Sequence, residues 1–252
     1  KIFYNEKIEF KDCFFVGLFA SIGFLSKYLF IYLIISISFL FIYFIFFKKK
    51  MKFDFKYIII FEIFIVLLVP HLIWLNDNNY ITITYGLKRS GIDDVSLIDH
   101  IRYPLIFIGK QFGILIPFFV LCFLLLKKIK FKLNFKDNKI IFLIFINFLP
   151  IFLMLMTSLL TGSKIRTMWM TPFYLFFGLL FVYIFQSQIK SKRINSFLYG
   201  FIFLFFMSPV LYSFISIKQT DKRTDYFGKD IADLVERRWN KNFSNEIMYV
   251  VG

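Results

Sequence analysis

Apolar stretches long enough, or nearly long enough, to cross a bilayer follow one another along the whole chain, with charged loops between them. They cover residues 13–27, 28–47, 57–75, 105–126, 139–160, 170–185 and 195–217. About 20 apolar residues are needed for a helix to span roughly 30 Å of hydrocarbon. The pattern therefore predicts an all-α polytopic membrane protein of about seven transmembrane helices. A water-soluble enzyme is excluded on the same ground. With 59% hydrophobic residues and 40 Phe in 252 positions, a soluble core would leave large apolar patches exposed.

The net charge of +15, from 31 Lys and Arg against 16 Asp and Glu, is distributed by loop. Lys48, Lys49, Lys50, Lys52 and Lys56 follow the second stretch. Lys127, Lys128, Lys130, Lys132, Lys136 and Lys139 follow the fourth, and Lys190, Lys192 and Arg193 the sixth. The intervening loops at 76–104 and around Gly162 carry few cations, and the longer one offsets them with Asp77, Asp93, Asp94 and Asp99. By the positive-inside rule the lysine-rich loops face the cytoplasm, and the other loops and the tail beyond Ile217 face outward. This is the charge pattern of a membrane protein; Arg interleaved with stacking aromatics, as a nucleic-acid binder needs, is absent. Cys13 and Cys122 both lie in apolar segments and offer neither a disulfide nor a metal-binding pair.

Two regions are expected, a multi-span membrane domain over 1–217 and a water-facing tail over 218–252. In the tail, Ile231, Leu234, Val235 and Trp239 share one helical face and an apolar run follows at 247–251. That reads as the start of a small soluble α/β domain, with an amphipathic helix on the membrane surface as the alternative. The chain opens on Lys1 and ends within the apolar run, so it reads as part of a longer protein.

Ionisable groups inside apolar spans are costly and draw functional hypotheses. Glu62 is expected to pair with a neighbouring loop lysine. Lys27 falls where the first two stretches meet, His71 follows Pro70 near the outer end of the third, and Lys110 is placed near the outer end of the fourth. With Lys164 and Arg166 from the short outer loop, they form a candidate anion site at headgroup level, suited to a lipid-borne phosphate. Snorkelling toward water is the simpler alternative for each. Trp74, Asn76 and Asp77 offer an aromatic face and polar groups for a sugar, although interfacial loops use the same residues. Asp77, Asp93, Asp94 and Asp99 are the acidic candidates for a general base, and no spacing singles one out. There is no serine or cysteine nucleophile arrangement, no phosphate loop and no His-rich metal cluster among two His.

Several strings together resemble the bacterial branch of the dolichyl-phosphate-mannose protein mannosyltransferases, the family 39 glycosyltransferases of polytopic type-C architecture. They are Gly23-Phe24-Leu25-Ser26-Lys27-Tyr28, Pro70-His71-Leu72-Ile73-Trp74-Leu75, residues 85–91, Asp99-His100-Ile101 with Pro104 and Gln111, residues 162–172 with Trp169, and the tail from Tyr226 through Trp239 to Gly252. The resemblance implies an inner-membrane enzyme, its tail facing the periplasm, that moves a sugar from a polyprenyl-phosphate donor to an acceptor glycolipid or protein at the outer face. It implies donor-phosphate binding by Lys27 and His71, joined on grounds of depth by Lys110, Lys164 and Arg166. The family's catalytic carboxylate lies in an outer loop expected upstream of Lys1. No cofactor is certain, and assistance by a divalent metal stays open. The competing class is a transporter or flippase for a lipid-linked or anionic substrate. Transporters tend to show paired repeats and helices broken at mid-membrane; here no repeat appears and the charges gather at one face, which favours the transferase.

Overall fold

A computed structural model of the chain describes residues 8–49, 53–92, 95–126, 129–130, 133–218 and 227–243. These are almost entirely helical. Among them no β-strand forms, only an isolated antiparallel bridge between Leu126 and Ile189. The chain divides into two compact units, Lys1–Phe197 and Leu198–Gly252.

The first unit opens with α1 (Phe10–Ser26), capped by a reciprocal box between Glu9 and Asp12. A break at Lys27 leads through a 3-10 turn (Tyr28–Phe30) into α2 (Ile31–Ile42), which ends in a π turn (Tyr43–Phe47). Then come α3 (Lys56–Asp77), the short α4 (Ile81–Arg89), α5 (Asp99–Leu125) and α6 (Asn138–Thr161). A 3-10 stretch (Thr167–Tyr174) precedes α7 (Phe177–Phe185). Asp137 caps α6, its Oδ1 accepting the Lys139 N–H at 2.9 Å, and Gly162 closes α6 with a left-handed φ of 63°.

Small residues set the closest helix contact. Cys13, Gly17 and Ser21 recur every four residues and form the buried face of α1, which lies against α3. A β-carbon at Gly17 would stand 2.7 Å from the Ile60 carbonyl oxygen. The Ser21 hydroxyl donates to the Gly17 carbonyl at 2.8 Å and also approaches that of Phe64, at 3.4 Å. Membrane helices pack closely on such faces because lipid supplies no hydrophobic drive between them. The partners Ser21 with Phe64 and Tyr28 with His71 keep one offset of 43 residues, so α1 and α3 run parallel, with α2 as the return.

The centre of the unit is α6, the most buried of the long apolar helices, which touches α2, α5 and α7. Tyr32 of α2 donates to the Thr157 hydroxyl at 2.9 Å. One apolar cluster joins Cys13, Leu40, Phe44, Tyr57 and Ile141, and another joins Phe107, Met154, Met170 and Phe173.

The loops gather at two ends. At one, Lys48 Nζ donates to the Phe135 carbonyl (3.2 Å) and Lys56 Nζ to that of Ile8 (3.1 Å). There Gln188 also bonds both backbone groups of Lys130, and Arg193 reaches the Leu126 carbonyl. At the other, Lys27 Nζ reaches the Trp169 carbonyl (3.3 Å), Lys164 N–H the Ser90 carbonyl (2.9 Å) and His100 Nδ1 that of Leu159 (2.8 Å). The lysine-rich loops thus share one end, and the loops poor in cations share the opposite one.

Among the described residues five helices are long and apolar enough to cross a membrane, or six if the bent pair counts as one span; the expected seven is corrected accordingly. The first stretch folds as α1, whose 17 residues extend only about 26 Å at 1.5 Å per residue. The sixth is broken: its first half is a 3-10 stretch containing Pro172, bent by 47° from α7. The loop at 76–104 is not plain loop, since it holds α4 and the first turns of α5.

In the second unit α8 (Ile194–Lys218) has no buried side chain, and α9 (Gly228–Asn242) carries the expected helical pattern, with Trp239 tilted against Phe243 at 4.7 Å. The expected α/β tail is not supported: its described part is this helix, and the apolar run at 247–251 lies outside the described residues. Lys50, Lys52, Asp93, Asp94, Lys127, Lys128, Lys132 and Tyr226 also lie outside them.

Candidate functional site

The break between α1 and α2 faces the last turns of α3. Lys27 takes an extended conformation (φ −161°), its N–H still closing α1 on the Gly23 carbonyl, and so projects from the end of α1 instead of continuing it. Around it opens a cleft of about 470 Å³ whose polar wall is Lys27, Tyr28, His71, Trp74 and Thr82.

The Tyr28 hydroxyl lies 2.7 Å from His71 Nε2 and 2.8 Å from Thr82 Oγ1. It carries a single proton, so it donates to one and accepts from the other. The His71 ring stacks on Trp74, with centroids 5.8 Å apart and planes 14° from parallel. The imidazole is therefore held from two sides, by a hydrogen bond and by an aromatic face. Thr82 arrives through a tight turn in which Asn79 and Tyr80 both take left-handed φ (51° and 55°), a conformation that costs a non-glycine residue about 1–2 kcal/mol.

Lys27 is half-buried, and burial pulls its ammonium pKa below the ordinary lysine range. One of its N–H groups goes to the Trp169 carbonyl. An ammonium has three donors, so the arrangement offers a partly desolvated cation beside an oriented imidazole and an indole. Such a group of donors suits an oxyanion, and the indole suits an apolar or sugar face.

Of the residues singled out from sequence, Lys27, His71 and Trp74 come together here. Asn76 and Asp77 lie in the exposed last turn of α3, where Asn76 Oδ1 accepts the Tyr80 hydroxyl at 3.4 Å, and they do not line the cleft. Lys164 and Arg166 are exposed on the segment that leads to Trp169, at the same end of the unit. Lys110 is exposed on α5 and does not line the cleft. It stands eleven residues after the first residue of α5, which starts at Asp99 and not near Leu105.

The acidic candidates fare differently. Asp99 caps its own helix, its Oδ2 accepting the Ser96 N–H at 3.0 Å and hydroxyl at 2.8 Å. Glu62 is exposed on α3, while Lys56 engages Asp54 at 3.8 Å. Among the described residues no group of three or more His, Cys, Asp or Glu could hold a metal ion.

Sequence reasoning missed Tyr28 as the partner of His71, and it missed Thr82 altogether. Tyr28 stood beside Lys27 as a signal, but its pairing depends on the register of α1 against α3. Thr82 depends on α4, which loop composition concealed. A second missed pair is Gln111 and Tyr174, whose side chains hydrogen-bond in the interior between α5 and the 3-10 stretch.

Fold and site together define a multi-pass membrane protein with a cationic and aromatic cleft at the end opposite its lysine-rich loops. Residues 2–74 match the family model of dolichyl-phosphate-mannose-protein mannosyltransferases, so over that stretch the chain is similar to membrane glycosyltransferases. The matched stretch contains α1, α2 and nearly all of α3, and with them Lys27, Tyr28, His71 and Trp74. No curated protein and no solved structure matches the chain.

Proposed function

We propose that this chain is part of a glycosyltransferase that takes a sugar from a polyprenyl-phosphate donor and passes it to an acceptor glycolipid or protein at the outer face of the bacterial inner membrane. The observation that carries this reading is the assembly of Lys27, Tyr28, His71 and Trp74 in one cleft, all from the stretch similar to the mannosyltransferases. In the reaction the bond from the anomeric carbon to the phosphate oxygen breaks and the acceptor oxygen bonds to that carbon. The lipid phosphate leaves with added negative charge. Lys27 and His71 bind that phosphate and stabilise the charge from fixed positions, which requires no reorganisation at the moment of reaction. Lys164 and Arg166, exposed at the same end, attract the anion. The acceptor proton passes to a general-base carboxylate that is not assigned to a residue of this cleft, and the tail after α8 is assigned to the periplasm.

The test is Lys27→Ala in the full-length protein, assayed for transfer at matched membrane abundance. The expected result is at least a tenfold loss of kcat/KM, equivalent to about 1.4 kcal/mol of transition-state stabilisation. Unchanged transfer overturns the phosphate site.

A further inference from the structure

Gln111 stands where the pattern of α5 calls for an apolar residue. Pro104, Phe107 and Gln111 recur at three and four residues on the buried face of that helix. Phe107 packs with Met154, Met170 and Phe173. Gln111, only 6% exposed, accepts the Tyr174 hydroxyl through Oε1, and its Nε2 has no partner among the described residues. A Leu facing a Phe would fill the same space without an orphaned donor, since replacing both members of a buried hydrogen-bonded pair by apolar groups is close to neutral for stability. What the polar pair adds is direction. Tyr174 ends the 3-10 stretch, whose hydrogen-bond geometry is poorer than that of an α-helix, so contacts with neighbouring helices set where the stretch lies. Earlier in the same stretch the Trp169 carbonyl accepts from Lys27 Nζ at 3.3 Å.

We propose that Gln111 and Tyr174 are positioning residues for Lys27: their hydrogen bond pins the 3-10 stretch to α5 and so fixes the carbonyl that orients the ammonium in the cleft. The inference rests on the phosphate-binding role given to Lys27 above. An ammonium on a four-carbon stem is free to take many rotamers, and a carbonyl held in place limits it to those that keep the charge beside His71. A charge fixed in advance stabilises the leaving phosphate without reorganising. Neither Gln111 nor Tyr174 lines the cleft, so their effect on transfer passes through the stretch they anchor.

A double-mutant cycle in the full-length protein tests this, with transfer measured at matched membrane abundance. Tyr174→Phe and Gln111→Leu together remove both polar groups and leave the interior apolar, so the melting temperature is expected to stay near the parent's. The paired change is expected to lower kcat/KM for the polyprenyl-phosphate donor about threefold in the parent and to cost nothing further when added to Lys27→Ala, because residues that act as a unit are not additive. Equal losses in the two backgrounds, or no loss in the parent, overturn the inference, while a tenfold loss in Lys27→Ala alone leaves the phosphate site standing. A Lys27→Ala protein that transfers like the parent removes the phosphate site, and this inference with it. Should the paired variant fail to accumulate, single changes decide. Gln111→Glu keeps an oxygen for the Tyr174 hydroxyl and is expected to retain the transfer that Gln111→Met loses; equal transfer by the two overturns the inference.

Discussion

His71 shows how the site depends on single atoms. Its ring is fixed by the Tyr28 hydroxyl and the Trp74 face, and Tyr28→Phe removes the first without changing the second. One neutral hydrogen bond is worth about 1 kcal/mol, so transfer by the full-length Tyr28→Phe protein is expected to fall about fivefold, with membrane abundance unchanged. A rate equal to the parent's would show that the bond does not serve the reaction. Gly162 matters for a different reason. It holds a φ of 63°, and a β-carbon there would stand 2.2 Å from Val95 Cγ1 and 3.0 Å from His100 Nε2. Gly162→Ala therefore combines a left-handed cost of about 1–2 kcal/mol with displacement of Val95. A lower melting temperature of the detergent-purified protein is expected, and an unshifted one would mean that the turn after α6 adopts another conformation.

Among the elements, the parallel pair of α1 and α3 is the one on which the cleft rests. Lys27 and Tyr28 directly follow α1, and His71 and Trp74 lie in the last two turns of α3; they meet only while the two helices hold their register. Gly17→Leu would drive a side chain into the Ile60 carbonyl, which as backbone cannot swing aside. Overpacking of this kind costs about 1–3 kcal/mol. Transfer and thermal stability are expected to fall together, whereas Lys27→Ala lowers transfer alone. If Gly17→Leu left both intact, the close packing of α1 on α3 would be wrong. The helices of the long apolar stretches were legible in the sequence, since apolar runs of this length admit no other structure in lipid, whereas α4 was not. Nor was the break in the sixth stretch. Its composition is apolar throughout, and proline is no signal either, since α3, α5, α6 and α8 hold internal prolines without such a break.

For the molecule as a whole, the two ends of the first unit correspond to the two loop chemistries, and by the positive-inside rule the lysine-rich end is expected to face the cytoplasm. With Cys13 and Cys122 buried, single cysteines report on this directly. A membrane-impermeant maleimide added to intact cells is expected to label Lys164→Cys and to spare Lys190→Cys until the membrane is opened. The reverse pattern would invert the topology and put the cleft on the cytoplasmic side. The membrane class, the helical content and this alternation were determined by the sequence alone, because hydropathy and loop charge are local quantities that each segment carries by itself. Lys27 and His71 were also visible there as charges near span ends. That they share a cleft with Tyr28 and Thr82, while Asn76, Asp77 and Lys110 stay outside it, was decided only by the tertiary structure. Such a meeting depends on helix register, on a glycine thin enough to let α1 reach α3, and on a turn through two left-handed residues, and none of these is a property of any one segment.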